Sequence, residues 1–220
     1  MPLLTPDQPY GNPAFALSLD EVDTVIDLLC RGAKEAKAHV TPGMLEVPTT
    51  IVVRKAMRRV KRNLGLTNIE VRGEQEIDDM ATADPTILGR IDITLKFLHQ
   101  FGNEDAFVAI ECKRVRAGDT ALSSNYVSEG VERFATGKYA AGHAWGFMLG
   151  YVLALPVDDI VAAVDNRVRK KFGATAALSS CDGHPHALRI LESGLAQGND
   201  HTIRLKHVFV DMVAAAPGPS

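Results

Sequence analysis

Two stretches decide the reading: Gly89-Arg90-Ile91-Asp92-Ile93 and Phe107-Val108-Ala109-Ile110-Glu111-Cys112-Lys113-Arg114. In the second, Glu111 and Lys113 stand two apart, so on an extended chain they point to one face. Val108, Ile110 and Cys112 point to the other, where they can pack inward. The run from Gly89 to Leu98 alternates in the same way. Ile91, Ile93, Leu95 and Phe97 take one face, and Arg90, Asp92, Thr94 and Lys96 the other, which marks a half-buried strand. Gly102-Asn103 between the stretches predicts an antiparallel turn. Pairing the strands with their polar faces together brings Asp92 beside Glu111 and Lys113.

Upstream, Asn68 to Asp78 also alternates and predicts a strand. Before it, a helix is expected from Ser18 to about His39, with Asp20 and Glu21 in its first turn and Thr41-Pro42-Gly43 as its breaker. A second helix is expected from about Leu45 to Leu64. Val53, Met57, Val60 and Leu64 form its apolar stripe, Arg54, Arg58 and Arg62 share another face, and Gly65 follows as C′ residue. Downstream, helices are expected over Leu122–Lys138 and Asp158–Phe172, a buried strand over Trp145–Leu153 and a last strand over Thr202–Met212. This order predicts an α/β fold: a central mixed sheet, made of an antiparallel meander plus a crossover strand, flanked by helices. With no repeat or low-complexity linker, one domain spanning 1–220 is the economical reading. Only Met1–Pro13 and Ala214–Ser220 read as loose ends.

The composition, 46% hydrophobic and 23% charged, is that of an ordinary globular chain. No run approaches the roughly 20 apolar residues of a membrane helix, so no membrane partner is expected. The start of the chain lacks the basic and apolar regions of a signal peptide. Three cysteines without a CxxC pair argue against a disulfide framework or a structural zinc, and a cytoplasmic setting is the expectation. The net charge of -3 argues mildly against tight nonspecific binding to nucleic acid. Its distribution matters more: Arg54 to Arg62 holds six positive charges, with no acid between Val47 and Ile69. Arg167, Arg169, Lys170 and Lys171 form a second cluster. A solvated helix face is the commoner reading of either run.

Two carboxylates and a backbone carbonyl supply the oxygen ligands that Mg²⁺ prefers. Such a cation polarises a phosphate and acidifies a bound water, which a nearby lysine can orient or help deprotonate. The plainer alternative is a cross-strand ion-pair ladder on a solvated sheet face, worth tenths of a kcal/mol per pair. Against that ladder, the Glu-x-Lys strand is apolar on both sides of the motif and so reads as central, where charge is costly without a role. The basic helix also precedes the sheet, where it can line a groove for a phosphate backbone.

Asp92, Glu111-Cys112-Lys113 and the order helix, three strands, helix, strand resemble the PD-(D/E)XK nuclease superfamily over roughly Leu45 to Leu153. The resemblance implies a restriction endonuclease-like core that hydrolyses DNA with Mg²⁺ or Mn²⁺, in phage defence or DNA processing. It assigns the metal to Asp92 and Glu111, with Glu46 as a further ligand, and water activation to Lys113. Glu46 is equally a helix-start acid favoured by the macrodipole. Ile91 stands where the family often has proline, and no glutamine-tyrosine motif follows the Glu-x-Lys strand. Instead Tyr126, Arg133 and Lys138 follow: Arg133 and Lys138 as phosphate contacts and Tyr126 as support, or all three as ordinary helix residues. Arg54, Arg58 and Arg62 complete the expected nucleic-acid contacts. A homodimer and partner proteins fit the same family. The alternative is a catalytically silent, nucleic-acid-binding or assembly subunit of the same fold. Among rival residues, Glu74 and Glu76 read as solvated acids, His184 and His186 as surface histidines, and Cys112 as a core thiol.

Overall fold

A computed structural model of the chain describes residues 15–78, 87–197 and 201–213; the two expected loose ends lie outside the described residues. Ser18 caps the first helix, α1 (Leu19–Lys37), as its sequence predicts. Its Oγ accepts from Glu21 N at 3.2 Å, and Glu21 Oε2 accepts from Ser18 N at 2.9 Å, a reciprocal box that satisfies two helix-start amides. α2 (Glu46–Asn63) packs against α1 so closely that a Cβ on Gly32 would stand 2.4 Å from Met57 Cγ. Gly65 follows α2 at φ +66°, the left-handed turn that glycine takes without penalty.

The strands are β1 (Ile69–Arg72), β2 (Gln75–Asp78), β3 (Ile87–Ile91), β4 (Ile93–Phe97), β5 (Val108–Val115), β6 (Trp145–Val152), β7 (Ser179–Ser180), β8 (Arg189–Ala196) and β9 (Thr202–Asp211). Seven of them form one mixed sheet in the order β1-β4-β5-β6-β9-β8-β7, and β2 pairs with β3 in a separate ribbon. β6 runs parallel to both β5 and β9; every other pairing is antiparallel. The meander-plus-crossover plan is therefore present in β1-β4-β5 and β6.

Several boundaries differ from the sequence reading. The expected strands Asn68–Asp78 and Gly89–Leu98 are each split. β1 and β4 stay in the main sheet, and β2 and β3 leave it as the ribbon. The break in the second falls on Asp92, a bend between β3 and β4. Alternation therefore does not carry across it: Ile93, Leu95 and Phe97 pack under α1 and α2, whereas Ile91 joins the opposite core. The helix expected over Leu122–Lys138 is α3 (Thr120–Tyr126), a π turn (Val127–Val131) and α4 (Glu132–Ala135), ending before Gly137 at φ +71°. β8 has no counterpart in the reading. Its Ile190 and Leu191 are adjacent apolar residues that serve opposite faces, and Ser193 and Gly194 dilute the pattern.

Two cores sandwich the sheet. On one face α1 and α2 set Val25, Leu28, Val53 and Met57 on Leu95, Ile110 and Phe147. On the other, α3 to α4 and α5 (Val157–Phe172) set Val131, Phe134, Ile160 and Val164 on Ala109, Met148 and Phe209. β6, apolar and buried along its whole length, lies between them, as a strand covered on both sides must. Among the described residues no helix is long and apolar enough to cross a membrane.

The second core holds a polar chain. Fully buried His207 places Nδ1 3.1 Å from Tyr126 Oη and Nε2 2.9 Å from Ser193 Oγ. Burial pushes His207 down to about 3, and it takes His143 down to about 4 although the Asp105 carbonyl opposes it. Both histidines are neutral when folded and bind protons below about 6.5 when unfolded. Their contribution to stability is complete above 6.5 and is lost as pH falls towards 4. Denaturant titrations between pH 7 and 4 are expected to show that loss, with a shallower pH slope for His207→Gln; equal slopes would remove His207 from the account.

Candidate active site

β4 pairs with β5 only from Ile93↔Ile110 to Leu95↔Val108. Beyond Ile110 the bend at Asp92 carries the neighbouring strand away, while β5 runs on, parallel to β6, as far as Val115. The amides of Cys112 and Arg114 on the vacated side lose their ladder partners, and two carboxylates take them. Cys112 N donates to Asp92 Oδ2 at 2.7 Å, and Arg114 N donates to Glu46 Oε2 at 3.0 Å. In a strand the N–H and C=O of one residue point the same way, so the Cys112 carbonyl also faces this opening.

Glu111 and Lys113 project together from β5 towards the π turn and α4. Lys113 Nζ bridges Glu111 Oε1 and Glu46 Oε1 at 2.9 Å each. Arg133 of α4 brings Nη1 to 2.8 Å from the same Glu111 oxygen and 2.7 Å from Tyr139 Oη, whose hydroxyl donates to the Arg90 carbonyl. Glu129, one turn before, holds the other end of the guanidinium at 3.5 Å. Gly130 lets the π turn lie against β5: a Cβ there would meet Met148 Cε at 2.5 Å and Lys113 Cγ at 3.5 Å. The structure thus brings Glu46, Asp92, Glu111, Lys113 and Arg133 into one cluster from four separate elements.

Glu111 is 0% exposed, and its Oε2 is buried without a hydrogen-bond partner. An unpartnered buried anionic oxygen is costly. Burial and the neighbouring Asp92 carboxylate push Glu111 up to about 7, against the pull of Lys113 and Arg133. Burial likewise raises Asp92, although the Cys112 amide and Lys113 favour its charged form. Burial would lower Lys113, but the Glu111 and Glu46 carboxylates more than offset it, so its ammonium is held protonated above the usual lysine range.

The oxygens that would be available to a hard divalent cation are Glu111 Oε2, the second oxygen of Asp92 and the Cys112 carbonyl. Such ions are commonly held by one or two carboxylates, with water and substrate oxygen completing the shell. Glu46 has both oxygens engaged, by Lys113 and the Arg114 amide, so it orders the lysine and β5 as the site stands. Among the described residues no group of three or more His, Cys, Asp or Glu side chains is arranged to hold a metal, so main-chain and water oxygen would have to contribute.

The other expected contacts fall elsewhere. Arg58 Nε donates to the Val71 carbonyl at 2.9 Å, and Arg54 lies over Gly73, where a Cβ would sit 2.1 Å from its Nη1. That basic row therefore covers the open edge of the sheet along β1, and Arg62 is exposed beyond it. Lys138 is exposed, with its Cε over Gly89. Glu74 and Glu76 pair with Arg90 at 3.8 and 3.0 Å instead of joining the cluster. His184 Nε2 lies 3.0 Å from Asp27 Oδ1. Cys112 is buried in the core, its thiol pushed well up by burial. Tyr126, expected as support for the site, is committed to His207; Tyr139 is the ring that reaches Glu111 through Arg133. Sequence reasoning missed Tyr139 because it lies past the end of α4, in a turn carrying Ala140 at φ +52°.

The raised Glu111 has a consequence for the metal-free protein. A carboxyl near 7 when folded and 4.5 when unfolded binds its proton more tightly in the native state. Its contribution is present below 4.5 and is lost as pH rises through 7. Relative to Glu111→Gln, wild type in EDTA is expected to lose about 3 kcal/mol between pH 4.5 and 8, at about 1.4 kcal/mol per tenfold. Denaturant titration at the two pH values reads the difference; a constant gap would place Glu111 at an ordinary carboxyl value. Compared with known proteins, the chain matches no family model, no curated protein and no solved structure.

Proposed function

We propose that the chain is a divalent-metal-dependent nuclease with a PD-(D/E)XK-type site, acting on DNA phosphodiesters. One observation carries the reading: the sheet opens at Asp92, so that Asp92, the unpartnered oxygen of Glu111 and the ammonium of Lys113 share one buried corner. A surface ion-pair ladder would leave its charges in water and its oxygens paired; here Glu111 is sealed and one oxygen has no donor. The order α2, β1, β4, β5, α3 to α4, β6 supports the restriction endonuclease-like form of the α/β class.

In this reading Asp92 and Glu111 hold Mg²⁺ or Mn²⁺, which supplies charge neutralisation at the phosphate and a more acidic water. Lys113, held charged between Glu46 and Glu111, donates a hydrogen bond and so orients water or phosphate instead of removing a proton. Arg133, anchored by Tyr139 and Glu111, presents a guanidinium suited to a phosphate oxygen. The deciding assay is cleavage of plasmid and linear DNA by wild type and Glu111→Gln with Mn²⁺. Metal-dependent cleavage lost in the variant supports the reading, and a wild type that cuts neither substrate overturns it.

The silent nucleic-acid-binding or assembly subunit draws on one observation: Lys113 and Arg133 already place two cations on one oxygen of Glu111 without metal. Calorimetry with Mn²⁺ separates the two readings. Absence of binding dependent on Asp92 and Glu111 favours the silent form.

A further inference from the structure

The positive charges on the last turns of α5 take no part in the site described above. Arg167, Lys170 and Lys171 line a groove of about 340 Å³ together with Ser124, Val127 and Ser128 from α3 and the π turn. No carboxylate is among its lining residues. Arg167 is braced by a hydrogen bond from Nη2 to the Thr120 carbonyl at 3.0 Å, which fixes its guanidinium on the groove wall. Lys171 is paired with Glu132, while Lys170 is exposed and has no ion-pair partner among the described residues. Basic residues in a last helical turn are favoured by the helix dipole alone, so the charge by itself would carry nothing.

The connection to the site is what distinguishes this cluster. Val127 and Ser128 wall the groove, and the next residues of the same π turn, Glu129 and Gly130, meet Arg133 and Lys113. The nine steps from Ser124 to Arg133 span about 13 Å along a helix axis at roughly 1.5 Å each. A duplex strand carries one phosphate per roughly 3.4 Å of its axis, so one backbone offers several charges over that span. Two cation-bearing surfaces joined by one helical run, on a chain of net charge -3, suit a polyanion whose charges repeat along its backbone.

We propose that this groove binds backbone phosphates of duplex DNA flanking the bond held at Lys113. The contact is sequence-independent, through Arg167 and Lys170, with the serine hydroxyls as secondary donors. The inference rests on the nuclease reading for its substrate, but its test does not need cleavage.

Anisotropy of a labelled duplex of about 20 base pairs, in EDTA and across a salt series, compares the full chain with three variants. Lys170→Glu, and Lys170→Gln combined with Lys171→Gln, alter the groove; Lys34→Glu makes the same kind of change on α1. The groove variants are expected to weaken binding about tenfold at low salt and to lower the log–log salt slope by about one. Lys34→Glu should leave both as in wild type. Unchanged affinity and slope in the groove variants overturn the proposal even if the protein cuts DNA with Mn²⁺. So does a wild type that binds no duplex, and so does displacement of the duplex by an equal concentration of inorganic phosphate, which would mark a small-anion site. Weakened binding in the groove variants, with no cleavage by wild type, keeps the groove and removes the nuclease reading.

Discussion

Lys113→Ala is expected to lower DNA cleavage by about 10²–10³-fold, the range for losing one positioned hydrogen-bond donor at the reacting group. Lys113 Nζ lies 2.9 Å from both Glu46 and Glu111, so its loss also leaves two carboxylates facing each other with Arg133 as the remaining cation. Breaking a buried pair in this way costs about 3–5 kcal/mol of stability, so a drop in activity alone would be ambiguous. The metal titration removes the ambiguity. With the competing ammonium gone, Mn²⁺ binding is expected to be retained or tightened, whereas a misfolded site would lose both. Lys113→Met, which keeps most of the volume, should behave alike. Cleavage at the wild-type rate in either variant would sink the assignment.

Asp92→Asn is expected to abolish the stabilisation of the fold by divalent metal. A ligand at about 100 times its Kd stabilises a folded protein by about 2.7 kcal/mol, a rise of roughly 5–10 °C in Tm for a chain of this size. Wild type should show that rise with Mn²⁺ and the variant almost none. In EDTA at pH 8 the order should reverse. Asp92 is raised by burial, so its ionisation at that pH opposes folding, and the neutral amide can still accept from the Cys112 amide. A variant more stable than wild type without metal and less stable with it is hard to produce by general damage. Equal Mn²⁺ shifts in the two proteins would remove Asp92 from the metal site.

The part of this site that the sequence makes legible is local. Two residues apart on a strand means one face, so Glu111 and Lys113 could be placed together without any structure. Alternation along Gly89–Leu98 puts Asp92 beside them. The residue does reach the pair, but by a different route, through a bend that takes it out of the alternation and into the gap at Cys112 N. The basic row of α2 shows the opposite outcome. Its helical spacing is as read, yet Arg58 turns to the Val71 carbonyl and covers a sheet edge, because an open strand offers acceptors that no periodicity announces. Tyr139 and β8 were invisible for related reasons. One acts from a turn, and the other divides its apolar residues between two cores.

By itself, then, the sequence determined the order of the main helices and of the strands β1, β4, β5, β6 and β9. It also determined the pairing of Glu111 with Lys113, since these follow from backbone periodicity and the burial of apolar surface. Only the tertiary structure decided that β4 leaves β5 at Asp92, that Glu46 locks Lys113 from a helix 67 residues away, and that one oxygen of Glu111 has no partner. Those outcomes depend on which strand amides lose their ladder partners and which distant carboxylates can reach them. No local pattern encodes that, because it arises from chain segments that meet only once the sheet has closed on both cores.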